Sequence, residues 1–156
     1  MAVKPIPDGY ATATPYLICK DAAAAIDYYK QAFEATEMFR MADPSGKIMH
    51  AEIKIGNSML MMADEHPQMN CRSPKTLGGT AVFLMIYVEE VDKVFNRALK
   101  LGGTSVRTVK DQFYGDRSGT LTDPFGHVWT VSTHIEDVPH EEMGKRAAEA
   151  MKQSCS

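Results

Sequence analysis

An internal repeat limits this chain to a narrow set of folds. A strand-like segment, a helix-like segment and three more strand-like segments occur in that order, and the same order then occurs again. Cys19 corresponds to Val88 and Asn57 to Gly126, a difference of 69 residues in both cases. Because one shift matches both ends of the unit, the sequence predicts two copies of a βαβββ module.

The first copy starts with a strand predicted over residues 10–19. A helix is predicted over residues 21–33, where apolar side chains recur at helical spacing and Asp21 has the residue type of an N-cap. Gly56-Asn57 is a two-residue hairpin signal. The three remaining strands are predicted over 37–42, 48–55 and 58–63.

The second copy repeats this pattern after a linker rich in turn-forming residues. A helix is predicted over residues 91–101, and it ends at Gly102-Gly103. Strands are predicted over 81–88, 104–108, 118–122 and 127–133. We therefore expect one α+β domain over residues 1–156, divided into module one (10–64), a linker (65–79), module two (80–138) and a C-terminal helix (139–153).

Composition restricts the function classes. The formal net charge is −3, so we expect no nucleic-acid partner, since phosphate binding requires a surplus of Lys and Arg. No apolar run approaches the roughly 20 residues that span a bilayer, and the start lacks an apolar signal core. Cys19, Cys71 and Cys155 show no CxxC spacing and are predicted to be reduced thiols. Together these features predict a cytoplasmic protein without a membrane partner.

Three motifs carry a resemblance to a known superfamily. They are Asp21 with Asp27-Tyr28-Tyr29 and Phe33, the hairpin Ile55-Gly56-Asn57-Ser58, and the turn Asp123-Pro124-Phe125-Gly126-His127. With the doubled βαβββ order, they resemble the vicinal oxygen chelate superfamily of glyoxalase I, extradiol dioxygenases, fosfomycin-resistance enzymes and bleomycin-binding proteins. Segments 114–119 and 133–138 are similar to its PhnB-like branch. The resemblance implies that the two modules form a cleft and that two chains form a homodimer.

The resemblance also implies where a divalent metal would bind. The four family ligand positions fall on Thr14, Met61, Phe83 and Thr130. Zinc, iron and manganese prefer imidazole, carboxylate or thiolate ligands, which none of these four residues provides. We therefore expect that the usual metal site is absent and that the protein has no metal cofactor.

Strand pairing predicts which side chains face the cleft. If Gly56-Asn57 is the turn, Ile55 pairs with Ser58, and opposite residues share one face of the sheet. The pairs that follow are Lys54 with Met59, Glu52 with Met61, and His50 with Ala63. His50 and Glu52 would then face the cleft as an acid–base pair, although a solvated strand face is an alternative.

A four-residue turn at 123–126 predicts the pairing in the second module. Thr122 would pair with His127, Gly119 with Thr130, and Arg117 with Ser132. Arg117 would then face the cleft, where it could hold a carboxylate or phosphate, or it could simply pair with a carboxylate such as Asp116. His127 is predicted to be structural, and His134 either lines the cleft mouth or caps the last strand.

The remaining lining of the predicted cleft is mostly apolar, which is typical of a small-molecule site. Its members are Tyr16, Met59, Met61, Phe83, Met85 and Tyr87, with Thr130 beside them. Two functions stay open: metal-free binding of a drug or metabolite, and an enzyme that acts on a small carbonyl or oxygen-rich substrate. The enzyme would use His50 and Glu52, or a nonstandard metal. Trp129 is predicted to pack as core, and Cys19 to point towards the helix.

Overall fold

A computed structural model describes residues 3–154 of the chain, with the side chains of residues 153 and 154 left out. Cys155, predicted to be a reduced thiol, lies outside the described residues. The fold divides into two units. The first contains the residues up to Val82 together with Asp123–His127, and the second contains Phe83–Thr122 and the residues from Val128 onwards.

The first unit has one four-stranded sheet and a long helix. Its elements are β1 (Tyr16–Cys19), α1 (Ala22–Phe33), β2 (Thr36–Ala42), β3 (Ile48–Ile55) and β4 (Ser58–Asp64). The strand order is β1-β4-β3-β2, with β1 parallel to β4 and the other pairs antiparallel. A short 3₁₀ helix (Pro67–Met69) and α2 (Pro74–Leu77) follow in the segment predicted as a linker.

The second unit repeats this topology. Its elements are β5 (Phe83–Tyr87), α3 (Val91–Lys100), β6 (Thr104–Asp111), β7 (Asp116–Thr122) and β8 (Val128–His134). The strand order is β5-β8-β7-β6, with β5 parallel to β8. The predicted α+β fold of two tandem βαβββ modules is confirmed. A last helix, α4 (His140–Ser154), follows.

The start of α1 shows how the local sequence sets an element boundary. The carboxylate of Asp21 accepts a hydrogen bond from the backbone N–H of Ala24 at 2.9 Å, so the predicted N-cap is confirmed. The helix ends at Phe33, and the next residue, Glu34, adopts a left-handed conformation. β1 is shorter than predicted because Pro15 has no N–H to donate to a ladder and so stands outside the strand.

One face of each sheet is buried. In the first unit Ile53 and Met62 are fully buried, together with Ile26 and Tyr29 of α1. In the second unit Leu121, Trp129 and Val131 are at most 1% exposed, and Phe95 of α3 is buried as well. Trp129 is therefore core, as its position opposite to Thr130 predicts. No helix among the described residues is long and apolar enough to cross a membrane.

Candidate functional site

The face of the first sheet that points away from α1, here called the first open face, holds most of the predicted site of module one. The β3–β4 register is the predicted one, with Ile55 opposite Ser58, Lys54 opposite Met59 and Glu52 opposite Met61. Residues that stand opposite each other share a face. The first open face therefore contains Tyr16, Phe39, Met41, His50, Glu52, Met59 and Met61.

A hydrogen-bonded row of polar side chains crosses the first open face. The Tyr16 hydroxyl lies 2.8 Å from His50 Nδ1, and His50 Nε2 lies 3.2 Å from Glu52 Oε1. A neutral imidazole with its proton on Nε2 accepts the Tyr16 O–H and donates to Glu52. The side chains of His50 and Glu52 are 23% and 24% exposed, so they are mostly shielded. His50 and Glu52 therefore form a hydrogen-bonded pair on the first open face.

A second tyrosine, Tyr10, interacts with Glu52, the last side chain of this row. The interaction with the Glu52 carboxylate, followed by burial, raises the pKa of Tyr10 to about 12. The Tyr10 hydroxyl is buried and has no well-aligned hydrogen-bond partner among the described residues. The interaction with Tyr10 lowers the pKa of Glu52, outweighs the opposing effect of burial, and is reinforced by His50. Burial is the main cause of the raised pKa of Tyr16. The interactions with Tyr10 and His50 therefore favour the ionised form of Glu52.

The corresponding face of the second sheet, here called the second open face, points away from α3. The outward positions of β5 are Phe83, Met85 and Tyr87, whose exposed fractions are 51%, 47% and 63%. Met85 stands beside Thr130, whose hydroxyl lies 3.1 Å from that of Thr120. Three successive outward side chains of one strand are thus large, apolar or aromatic, and open to solvent.

The predicted β7–β8 register is wrong by one residue. Thr122 pairs with Val128 instead of His127, and Thr120 rather than Gly119 stands opposite Thr130. The reason is the structure of the connecting loop. Asp123 Oδ1 accepts hydrogen bonds from the N–H groups of Phe125 and His127, and the His127 imidazole contacts the Ile18 carbonyl at 3.0 Å. His127 thus belongs to the loop, and its predicted structural role is confirmed.

The corrected register changes the position of Arg117. It stands opposite Thr133 instead of Ser132, on the face that packs against α3, so its predicted orientation towards the cleft is wrong. Its guanidinium donates two hydrogen bonds to Asp92 and one to Asp111, each of 2.8 Å. These contacts raise the pKa of Arg117 and hold the pKa of Asp92 low. Arg117 is thus bound to carboxylates of its own unit.

The same register brings together a cluster that sequence reasoning missed. Asp116 stands opposite His134 and accepts hydrogen bonds from His134 Nδ1 at 2.8 Å, Tyr87 at 2.9 Å and Ser132 at 3.2 Å. Burial by itself would raise the pKa of Asp116, but these three contacts lower it overall. The available signal was strand alternation, which places His134 on the same face as Thr130.

The family of this chain is shown by its similarity to known proteins. Residues 10–131 match the family model described as the Glyoxalase/Bleomycin resistance protein/Dioxygenase superfamily. The chain belongs to this superfamily. An uncharacterized protein of Mycobacterium bovis is 41% identical over 133 residues, which cover 83% of this chain and 88% of that protein.

Two solved structures share the fold of this chain. Protein PA1353 of Pseudomonas aeruginosa is similar with a TM-score of 0.66 and 25% identity, covering 81% of this chain and 99% of that one. A PhnB protein of Bacillus cereus is similar with a TM-score of 0.62 and 18% identity, covering 79% and 99% of the two chains. The predicted resemblance to the superfamily is confirmed, and a PhnB protein is among its structural neighbours.

The four positions at which the resemblance implies a divalent metal carry no suitable ligands. The Thr14 hydroxyl donates to the Ala11 carbonyl, and the Thr130 hydroxyl is paired with that of Thr120. Met61 and Phe83 offer a thioether and a phenyl ring, which are unsuitable for a borderline or hard cation. Within residues 3–154, no three His, Cys, Asp or Glu side chains are grouped as a metal site. The donor set therefore does not fit the divalent metal that the family implies.

Proposed function

We propose that this glyoxalase-superfamily member is a cytoplasmic, metal-independent binding protein for a small aromatic or apolar molecule, such as a drug or metabolite. The observation that carries the proposal is the row of Phe83, Met85 and Tyr87 on β5, each about half exposed or more. A contiguous exposed apolar surface on a small domain commonly marks a binding site. Such sites combine apolar walls with a few polar groups that orient the ligand.

The free energy gained by covering these side chains supports a ligand that is largely apolar. Covering a half-exposed Met or Phe side chain stabilises a complex by about 1 kcal/mol, half of the full burial value. The neighbouring Thr120 and Thr130 hydroxyls are hydrogen-bonded to each other at 3.1 Å, so covering them leaves at most one hydroxyl proton without a partner.

The test is a binding titration with the neutral fluorophore N-phenyl-1-naphthylamine. We expect Met85→Gln to weaken binding about fivefold, because about 1 kcal/mol of apolar contact is lost. Leu77→Gln is the matched control, since Leu77 is 64% exposed and lies on α2, outside both sheets. Equal affinity of Met85→Gln and the wild type would contradict the proposal, as would a wild type that does not bind the probe.

A second candidate function, catalysis, is favoured by the hydrogen-bonded row of side chains on the first open face. Glu52 orients the His50 imidazole, which in turn accepts the hydroxyl proton of Tyr16. Such an arrangement can exchange a proton with a carbonyl or hydroxyl compound that is bound next to Tyr16. The protein would then be an enzyme that acts on a small oxygen-rich substrate, with His50 as the acid–base group.

Turnover separates the two candidates. The assay measures isomerisation of the methylglyoxal–glutathione hemithioacetal by the protein as purified. An enzyme of this kind would lose activity in His50→Ala and Glu52→Ala, whereas Lys30→Ala, an exposed position on α1, would retain it. Absence of turnover in a wild type that binds N-phenyl-1-naphthylamine supports the binding protein.

A further inference from the structure

His134 stands at the end of β8 with one ring nitrogen held firmly. Its Nδ1 lies 2.8 Å from the Asp116 carboxylate, which is 3% exposed and also accepts the hydroxyl protons of Tyr87 and Ser132. Because that carboxylate is ionised and already fixed by two other donors, His134 presents Nδ1 as a donor and turns Nε2 outwards. The His134 imidazole and the Tyr87 hydroxyl both donate to the Asp116 carboxylate, so these two side chains are neighbours on the second open face.

The outward nitrogen contacts an anion of the chain itself. Asp137 Oδ1 lies 2.9 Å from His134 Nε2, and the Asp137 side chain is fully exposed at 102%. A solvent-exposed ion pair of this type contributes little stability, so a competing anion can replace it at small cost. The adjacent Glu136 does not compete, because Arg146 donates hydrogen bonds of 2.7 Å and 2.8 Å to its two oxygens.

We propose that His134 recognises an anionic group of the ligand, a carboxylate, sulfonate or phosphate, and that Asp137 occupies this position in the free protein. The proposal rests on the proposed binding function and narrows its ligand class to aromatic or apolar acids. The ring system would cover Met85 and Tyr87, while the anionic group displaces the Asp137 carboxylate. The hydrogen bonds to Asp116 and Asp137 raise the pKa of His134, which favours the charged imidazolium.

Two probes that share one ring system test this assignment. 1-Anilinonaphthalene-8-sulfonate carries a sulfonate, whereas N-phenyl-1-naphthylamine lacks it. We expect Asp137→Asn to bind the sulfonate probe about fivefold more tightly, because a competing anion has been removed. His134→Gln should bind it about tenfold more weakly, because an imidazolium contact is lost. Neither change should alter the affinity for the neutral probe by more than about twofold.

The control for overall charge is Glu141→Gln. Glu141 is an exposed carboxylate in the first turn of α4, so its removal changes the net charge by the same amount without touching His134. If Asp137→Asn and Glu141→Gln strengthen sulfonate binding equally, the proposal is overturned, because only the net charge matters.

Two further outcomes are distinguishable. If the neutral probe binds and the sulfonate probe is insensitive to Asp137→Asn, the proposed function stands and His134 merely holds the 135–138 segment. If neither probe binds the wild type, both proposals fail. The Asp137→Asn result decides the matter even if His134→Gln unfolds, because Asp137 is fully exposed.

Discussion

Gly115 illustrates a residue whose identity is required by backbone geometry. Its φ angle is +97°, in the left-handed region that side chains disfavour. Its carbonyl accepts hydrogen bonds from the N–H groups of Ile135 at 2.9 Å and Glu136 at 3.0 Å. A Cβ at this position would overlap the backbone carbonyl of Glu136, which cannot move away without breaking these bonds. Gly115 therefore holds the segment that carries Asp137 next to His134.

We predict that Gly115→Ala lowers the free energy of unfolding by about 3 kcal/mol, the sum of a positive-φ cost and a backbone clash. Gly46→Ala is the control, since Gly46 has a φ of +89° and open space around it. It should lose only about 1 kcal/mol. Urea denaturation measures both, and equal losses would show that the contact with Glu136 is unimportant.

Cysteine 19 shows how far alternation along a strand can predict a single residue. The sequence placed Cys19 on the helix-facing side of its strand, and the structure confirms that it is completely buried. Burial raises the pKa of its thiol, so it is a poor nucleophile. Arg117 shows the opposite case, because alternation was counted from a register that was wrong by one residue. One such error reverses every side chain of a strand.

Among the elements, the start of α1 and the start of β3 are joined by one carboxylate. Asp64, the last residue of β4, accepts hydrogen bonds from the N–H of Ala22 at 2.7 Å and the N–H of Ile48 at 2.6 Å. Both donors stand at the first residue of an element, where the backbone N–H lacks a partner within the element. The pattern of apolar residues does not predict these contacts, because Asp64 lies 42 residues after Ala22 and 16 residues after Ile48.

We predict that Asp64→Ala lowers the free energy of unfolding by about 2–3 kcal/mol, because two charge-assisted hydrogen bonds are lost. Asp21→Ala, which removes the single N-cap bond of α1, should lose about 1 kcal/mol. Thermal and urea unfolding of the two variants measure this difference. A loss for Asp64→Ala no greater than for Asp21→Ala would mean that water replaces the Ile48 contact.

For the molecule as a whole, we predict a homodimer without bound metal. The strand β2 exposes Met38, Phe39 and Met41 by about half, a surface that association would cover. Native mass spectrometry of the protein as purified should therefore give twice the 17.3 kDa mass of one chain. Treatment with a chelator should leave that mass unchanged. A monomer at micromolar concentration contradicts the first part, and a stoichiometric mass loss on chelation contradicts the second.

The sequence by itself determined the doubled module, the three long helices and the β3–β4 register. Each depends on neighbouring residues, and the two-residue turn at Gly56-Asn57 leaves a single pairing for the strands beside it. The tertiary structure decided the β7–β8 register, in which the loop ends one residue later because His127 is anchored to Ile18, 109 residues away. That register also formed the Asp116–His134 pair and removed Arg117 from the open face. The division is physical: turns and periodicity act locally, whereas side-chain hydrogen bonds between distant segments require the folded chain.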